Sequence, residues 1–195
     1  MAMYTLWITA PHRPLASALG LHWQYRVKNL GKGMYQSLLS LSEAVGARLT
    51  QLGWKIAAAE SCTGGGIMAA LTDIAGSSQY VERGFVTYTN QAKHQMLGVS
   101  WQTLDTYGAV SEPTVCEMVH GALLSSEADV AIAVSGIAGP GGGSESKPVG
   151  TVWFAFASRS GRTLACHQLF SGDRHAVREQ AVHFALQTLL NEFLF

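Results

Sequence analysis

From residue 36 to residue 52, apolar side chains return at Leu38, Leu41, Ala44, Val45, Leu49 and Leu52. This i, i+3, i+4 rhythm predicts an amphipathic helix stopped by Gly53. The period then changes. Trp54-Lys55-Ile56-Ala57-Ala58-Ala59 is the short apolar run of a buried strand, and beyond it Ile67, Met68, Ala70 and Leu71 resume helical spacing. Phe85-Val86-Thr87-Tyr88-Thr89 is β-branched and aromatic, so it reads as a strand, with Asn90 placed to cap a short helix through Leu97. Pro113 marks another helix start ahead of Val115, Met118, Val119, Ala122 and Leu123. Asp129 then opens Val130-Ala131-Ile132-Ala133-Val134, apolar throughout as a central strand is. A loop from Gly136 to Pro148 carries five glycines and two prolines, and strands are expected at 151–157 and 163–170. Asp173 is placed to cap a last helix reaching about Leu194, with Ala176, Val177, Ala181, Phe184, Ala185 and Leu189 on one face. Alternating helices and strands predict a single α/β domain, a three-layer α/β/α sandwich around a mixed sheet.

Composition narrows the class of protein. A chain of 195 residues with 48% hydrophobic content can build one core without disulfides or metal. Thirteen basic residues balance thirteen acidic ones, so neither nucleic acid nor an anionic membrane is an expected partner. An anionic ligand has to be recognised locally. Cys62, Cys116 and Cys166 are odd in number and widely spaced, without the clustering that zinc requires. No metal is therefore expected, and a reducing cytoplasm suits the three thiols. No apolar run approaches the roughly 18 residues of a membrane helix, and the N-terminus lacks the basic start of a secretory signal. Residues 1–33 follow no regular pattern: Met1 to Ala10 is apolar, Pro11 and Pro14 interrupt it, and Arg26, Lys28 and Lys32 cluster behind. They read as an extension of unassigned structure, with Met34 a candidate start of translation and 34–195 the functional domain.

The candidate chemistry begins at Glu60-Ser61-Cys62-Thr63-Gly64-Gly65, where a hydroxyl nucleophile sits between a strand and consecutive glycines. A strand-to-helix turn of this kind aims backbone N–H groups at whatever approaches Ser61. The plainer reading is that Ser61 and Thr63 merely cap a helix. A serine needs a base, and His12, His22, His94, His120, His167, His175 and His183 share no pattern that would supply one. Lysine serves if it is neutral at working pH. Lys93, in the first turn behind Asn90, lies where the positive end of the helix macrodipole disfavours an ammonium. Tyr88 and Asn90 share a strand face by period two and so stand as neighbours for that amine. Two rival nucleophiles are Cys62, whose thiolate a helix N-terminus would favour, and Ser144 in Ser144-Glu145-Ser146-Lys147. Flanking glycines and Pro148 argue against the helix that the second would need.

Six segments in order, A-E-S-C-T-G-G (59–65), V-T-Y-T-N-Q-A-K (86–93), G-A-V-S-E (108–112), S-G-I-A-G-P (135–140), K-P-V-G-T-V-W (147–153) and G-D-R (172–174), resemble the CinA C-terminal domain family. Within it, they are most similar to the stand-alone nicotinamide-nucleotide amidases. The resemblance spans about residues 36 to 192 and implies hydrolysis of nicotinamide mononucleotide to nicotinate mononucleotide and ammonia without metal or cofactor. It implies Ser61 as nucleophile, Lys93 as general base and Tyr88 as a group that orients or relays the proton. Amides of Cys62, Thr63 and Gly64 become candidates for the oxyanion. Ser111, Gly136, Ile137, Ala138 and Gly139 match pocket-lining motifs, with Asn90 beside them. Thr63, Gly64, Gly65 and Arg174 are placed to meet ribose or phosphate, although an arginine in a first helical turn equally suits an acidic neighbour. Gly141 departs from the family, which often carries aspartate there. The sequence leaves homo-oligomerisation open. It also leaves open a non-catalytic regulator that binds pyridine nucleotides in the same pocket.

Overall fold

Two residue periods build the sheet and its two covers. The computed structural model describes residues 38–195, so the expectations for residues 1–33 and for Met34 lie outside it. In chain order the elements are α1 (Leu38–Leu52), β1 (Ile56–Glu60), α2 (Gly66–Thr72), a 3-10 turn (Ser77–Gln79), β2 (Val81–Val86), α3 (Asn90–Leu97) and α4 (Trp101–Tyr107). They continue with α5 (Glu112–Leu124), β3 (Val130–Gly136), β4 (Thr151–Ser158), β5 (Thr163–Leu169) and α6 (Arg174–Glu192). The strands lie in the order β2-β1-β3-β4-β5. β1 pairs in parallel with β2 and β3, while β4 and β5 join antiparallel. The fold is thus the α/β sandwich with a mixed sheet that the sequence predicts.

Because side chains alternate across a strand, each strand sorts its residues onto two faces. One face presents Ile56, Ile132, Val134, Phe154 and Phe156 to α1, α2 and α6. The other presents Ala57, Ala59, Ala131, Ala133, Ala155 and Ala157 to α5, with Leu97 of α3 and Leu104 of α4 in the same cluster. A face paved with methyl groups lets a helix approach closely. Gly121 of α5 marks a separate close approach, to α3: a Cβ there would stand 2.0 Å from the carbonyl oxygen of Leu97.

Three local expectations need correction. β2 begins at Val81 and ends at Val86, whereas the β-branched run suggested a strand over 85–89. Glu82, Arg83 and Gly84 hide its start because an edge strand tolerates polar residues. The cap of α3 is Thr89, whose hydroxyl accepts from the Ala92 amide, and Asn90 is the first helical residue. α4 escaped the pattern altogether, since one short helix with few apolar positions gives no period. Ser100 caps it, and the carboxylate of Glu117 takes hydrogen bonds from the Ser100 amide and the Thr103 hydroxyl.

Candidate active site

At the carboxyl end of β1 the chain leaves the sheet and turns into α2, and the charge that organises this turn is Glu60. Its carboxylate is buried and accepts from the amides of Gly65, Ile67 and Met68, each at 3.0 Å. It does for the N-terminus of α2 what a capping side chain does elsewhere. The N-cap position itself is Gly65, at φ 96°, with no side-chain cap. Ser61 and Thr63 are therefore not caps, which overturns the plainer reading of this segment.

Over the turn, two amides are left without another described residue to take them, that of Cys62 facing only its own thiol. Ser61 donates to Val134 O, Gly64 to Ser61 O, and Gly66 to Thr63 O, while Gly65, Ile67 and Met68 go to Glu60. The amides of Cys62 and Thr63 find no other residue to accept them among the described residues. Gly64, counted above as an oxyanion donor, is committed to closing the turn.

Lys93 reaches Ser61 because β1 and β2 are parallel neighbours, which sets the elements that follow them side by side. Its Nζ lies 2.9 Å from Ser61 Oγ and 2.9 Å from the carbonyl oxygen of Thr87. The side chain is 1% exposed, and the described salt bridges place no carboxylate on it. Burial pulls the ammonium down from 10.5 to about 8. Cys62, adjacent to the serine, moves the opposite way. Burial above all, and the Glu60 carboxylate beside it, push its thiol up to about 12, opposed by its own backbone amide, Lys93 and Arg178. A thiol so placed is not the activated thiolate that a helix N-terminus promised.

Ser61 and Lys93 open onto a cavity of about 210 Å³. β1 and β3 lead to Ser61 and Cys62 on one side and Ser135, Gly136 and Ala138 on the other, and Ala109 and Val110, in the connection before α5, also line it. β2 and β3 flank β1 on opposite sides, so the cavity lies at the carboxyl ends of strands where connections diverge. Open α/β sheets hold their ligands at such points. Tyr88 and Arg174 stand at the mouth. The Tyr88 hydroxyl accepts from Arg174 Nη2 at 2.7 Å, and Arg174 Nη1 donates to Gly139 O at 2.9 Å. Arg174 meets no carboxylate among the described residues. Tyr88 makes no hydrogen bond to Lys93 or Ser61 there. The strand that was to aim it at the amine has already ended at Val86, leaving Tyr88 exposed.

Of the residues singled out in the sequence, Ser61, Cys62, Tyr88, Lys93, Gly136, Ala138 and Arg174 line the cavity. Thr63, Gly64, Gly65, Asn90, Ser111, Ile137 and Gly139 do not line it. Ser111 is buried as the cap of α5, its hydroxyl accepting from Thr114 N and donating to Gly108 O, and Asn90 is exposed. Ser144 and Lys147 form no dyad, because Lys147 Nζ donates to Tyr107 O. No described histidine lines the cavity. Glu60, Ser135 and Arg178 were missed. The one available signal was Glu60, a charge closing an otherwise apolar strand. Arg178 donates to the carbonyls of Cys62 and Thr63 at 3.2 and 2.9 Å across a long separation in sequence.

The geometry can be set beside known proteins. Nicotinamide-nucleotide amidohydrolase PncC of Enterobacter agglomerans is 61% identical over 157 residues, spanning 80% of this chain and 96% of that protein. The protein of the same name from Escherichia coli strain K12 is 59% identical over 157 residues, with 80% and 95% covered. Among solved structures, competence/damage inducible protein CihA from Agrobacterium tumefaciens is 48% identical at a TM-score of 0.78, covering 82% of this chain and 98% of that one. A competence-damaged protein (CinA) superfamily protein from Enterobacter cloacae is 39% identical at a TM-score of 0.79, covering 84% and 96%. The sequence model of the CinA C-terminal domain matches residues 38–193, the stretch that carries every element of the sheet and the cavity, and the chain belongs to that family.

Proposed function

We propose that this chain hydrolyses nicotinamide mononucleotide to nicotinate mononucleotide and ammonia through an acyl-enzyme on Ser61, with Lys93 as the base. The observation that carries the reading is the buried amine of Lys93, 2.9 Å from Ser61 Oγ and held at about 8 by desolvation. Relatives named as nicotinamide-nucleotide amidohydrolases at about 60% identity support the substrate. As an ammonium, Lys93 donates to both Ser61 Oγ and Thr87 O. Once neutral, it keeps one N–H on Thr87 O and turns its lone pair to the serine hydroxyl.

Ser61 Oγ attacks the carboxamide carbon while its proton passes to Lys93. The amides of Cys62 and Thr63 are the donors left to hold the oxyanion. As the tetrahedral centre collapses, the C–N bond breaks, and ammonia leaves with the proton that Lys93 carried. Water then attacks the ester, Lys93 accepts its proton, and the proton returns to Ser61 as the carboxylate departs. Arg174, cationic at the mouth and unmatched by acid among the described residues, supports a phosphate contact, with Tyr88 steadying it in place of the proton relay that the resemblance implied. Three free cysteines support a reducing, cytoplasmic location.

The test is release of ammonia and nicotinate mononucleotide by purified wild-type protein and Ser61→Ala with no metal added. Turnover by wild type alone, with an ester trapped on Ser61 by acid quench, is expected. An inactive wild type that still binds the nucleotide would replace the enzyme with a nucleotide-binding regulator.

A further inference from the structure

The turn that carries Ser61 is gripped by two opposite charges. Glu60 takes its later amides, and Arg178, one helical turn beyond Arg174 on α6, takes the carbonyls of Cys62 and Thr63. The half-buried Arg178 guanidinium gives its hydrogen bonds to two main-chain oxygens and meets no carboxylate among the described residues. What those two peptides do explains it.

In a trans peptide the C=O and N–H of one plane point in opposite directions. The carbonyl of Cys62 shares its plane with the amide of Thr63, one of the two amides left unspent in the turn. The carbonyl of Thr63 shares its plane with the amide of Gly64, which is locked onto Ser61 O. The Thr63–Gly64 plane is also held by the Gly66 amide on Thr63 O, so the plane that depends on Arg178 is that of Cys62 and Thr63, and with it the direction of the Thr63 N–H.

We propose that Arg178 is a positioning residue for the oxyanion donors: by holding the carbonyls of Cys62 and Thr63 from behind, it aims the Thr63 amide at the developing charge on an acyl group bound to Ser61. The proposal rests on the serine acyl-transfer reading above. Arg178 touches neither substrate nor the reacting atoms. Its removal therefore lowers the rate of attack while leaving ground-state affinity in place.

The experiment uses a fluorophosphonate, which reacts with an activated serine whatever the natural substrate. Ser61 Oγ bonds to phosphorus, the P–F bond breaks, fluoride leaves, and the serine proton passes to Lys93. The phosphoryl oxygen then occupies the oxyanion position. Labelling would be followed by intact mass for wild type, Arg178→Met, Arg178→Lys and a Ser61→Ala control. Binding of nicotinamide mononucleotide would be measured by calorimetry with each Arg178 change placed in the Ser61→Ala background. Arg178→Met should slow labelling about 10–100-fold, with affinity within about twofold of its parent. Arg178→Lys should fall between, since an ammonium is a point charge without the planar fork. If the Met variant does not melt cooperatively, the Lys variant carries the comparison. Equal labelling rates in all Arg178 forms would overturn the proposal, as would lost affinity with an intact rate. A wild type that labels at Ser61 without turning over the nucleotide refutes the assigned substrate and leaves the Arg178 comparison valid. A wild type that is not labelled at Ser61 overturns both.

Discussion

Ser61 and Lys93 are 32 residues apart in the chain, and the parallel pairing of β1 with β2 brings Nζ within 2.9 Å of Oγ. Neither residue would be reactive alone. The serine lacks a base, and the lysine, in water, would stay protonated. The strand pairing supplies the proximity, and burial supplies the basicity.

Activity should follow the protonation of that amine. The lysine must be neutral to act, and its ammonium is pulled from 10.5 down to about 8. kcat/KM should therefore rise through about pH 8 and fall roughly tenfold per unit well below it. A profile flat between pH 6 and pH 9 would remove Lys93 from the role of base.

Burying the ammonium also costs stability. The unfolded lysine holds its proton up to 10.5, and the folded one releases it above about 8. The penalty is therefore complete below pH 8, shrinks as the pH rises, and is gone above 10.5. Lys93→Met should be inactive yet more stable than wild type at pH 7, by on the order of 3 kcal/mol less what the unpaired Thr87 carbonyl costs. Thermal melts at pH 7 and pH 10 should show the advantage narrowing. A Met variant that is less stable at pH 7 would mean that the charge is better solvated than its burial indicates.

Ser61→Ala should lower turnover by at least about 10³-fold, whereas Cys62→Ala should keep it within roughly an order of magnitude, because a thiol pushed up to about 12 contributes no thiolate at neutral pH. Steady-state ammonia release from the two variants, side by side, separates the neighbouring nucleophiles. Preserved activity in Ser61→Ala would reverse the assignment.

Arg174→Ala should raise KM for the mononucleotide about 10–100-fold with little change in kcat, the loss expected for one charged hydrogen-bonding group on a phosphate. The matched riboside, which lacks the phosphate, should be indifferent to the change. Equal losses on both substrates would place Arg174 in the architecture of the mouth through Tyr88 and Gly139.

Gly121→Ala tests the approach of α5 to α3. Its new Cβ would meet Leu97 O at 2.0 Å, backbone that cannot swing aside. A destabilisation of about 2–3 kcal/mol is expected, together with reduced turnover, because Leu97 ends the helix that carries Lys93. Gly141→Ala is the control, since a Cβ there meets nothing within 4 Å.

Much of this was legible in the chain, for identifiable reasons. Val130 to Val134 had to be a central strand because both of its faces are covered, and Asp173 announces α6 by caps that act locally. Ser61 was visible as chemistry because it sits just past a strand, and Lys93 because it falls in the first turn of a helix. Tyr88 was misplaced because period two was extended two residues beyond the end of β2. Arg178 carried no local signal at all: its partners lie at the far end of the domain sequence, and only the packing of α6 beside α2 delivers it.

The alanine face of the sheet decides where this protein can vary. At positions 57, 59, 131, 133, 155 and 157 no side chain is left to shrink, so any change except to glycine adds volume under α5. Such volume should push on α5, which packs through Gly121 against Leu97 at the end of the helix that carries Lys93. The opposite face, built of Ile, Val and Phe, can exchange methyl groups among neighbours. One side of the sheet is a gauge block under α5, and the other is upholstery.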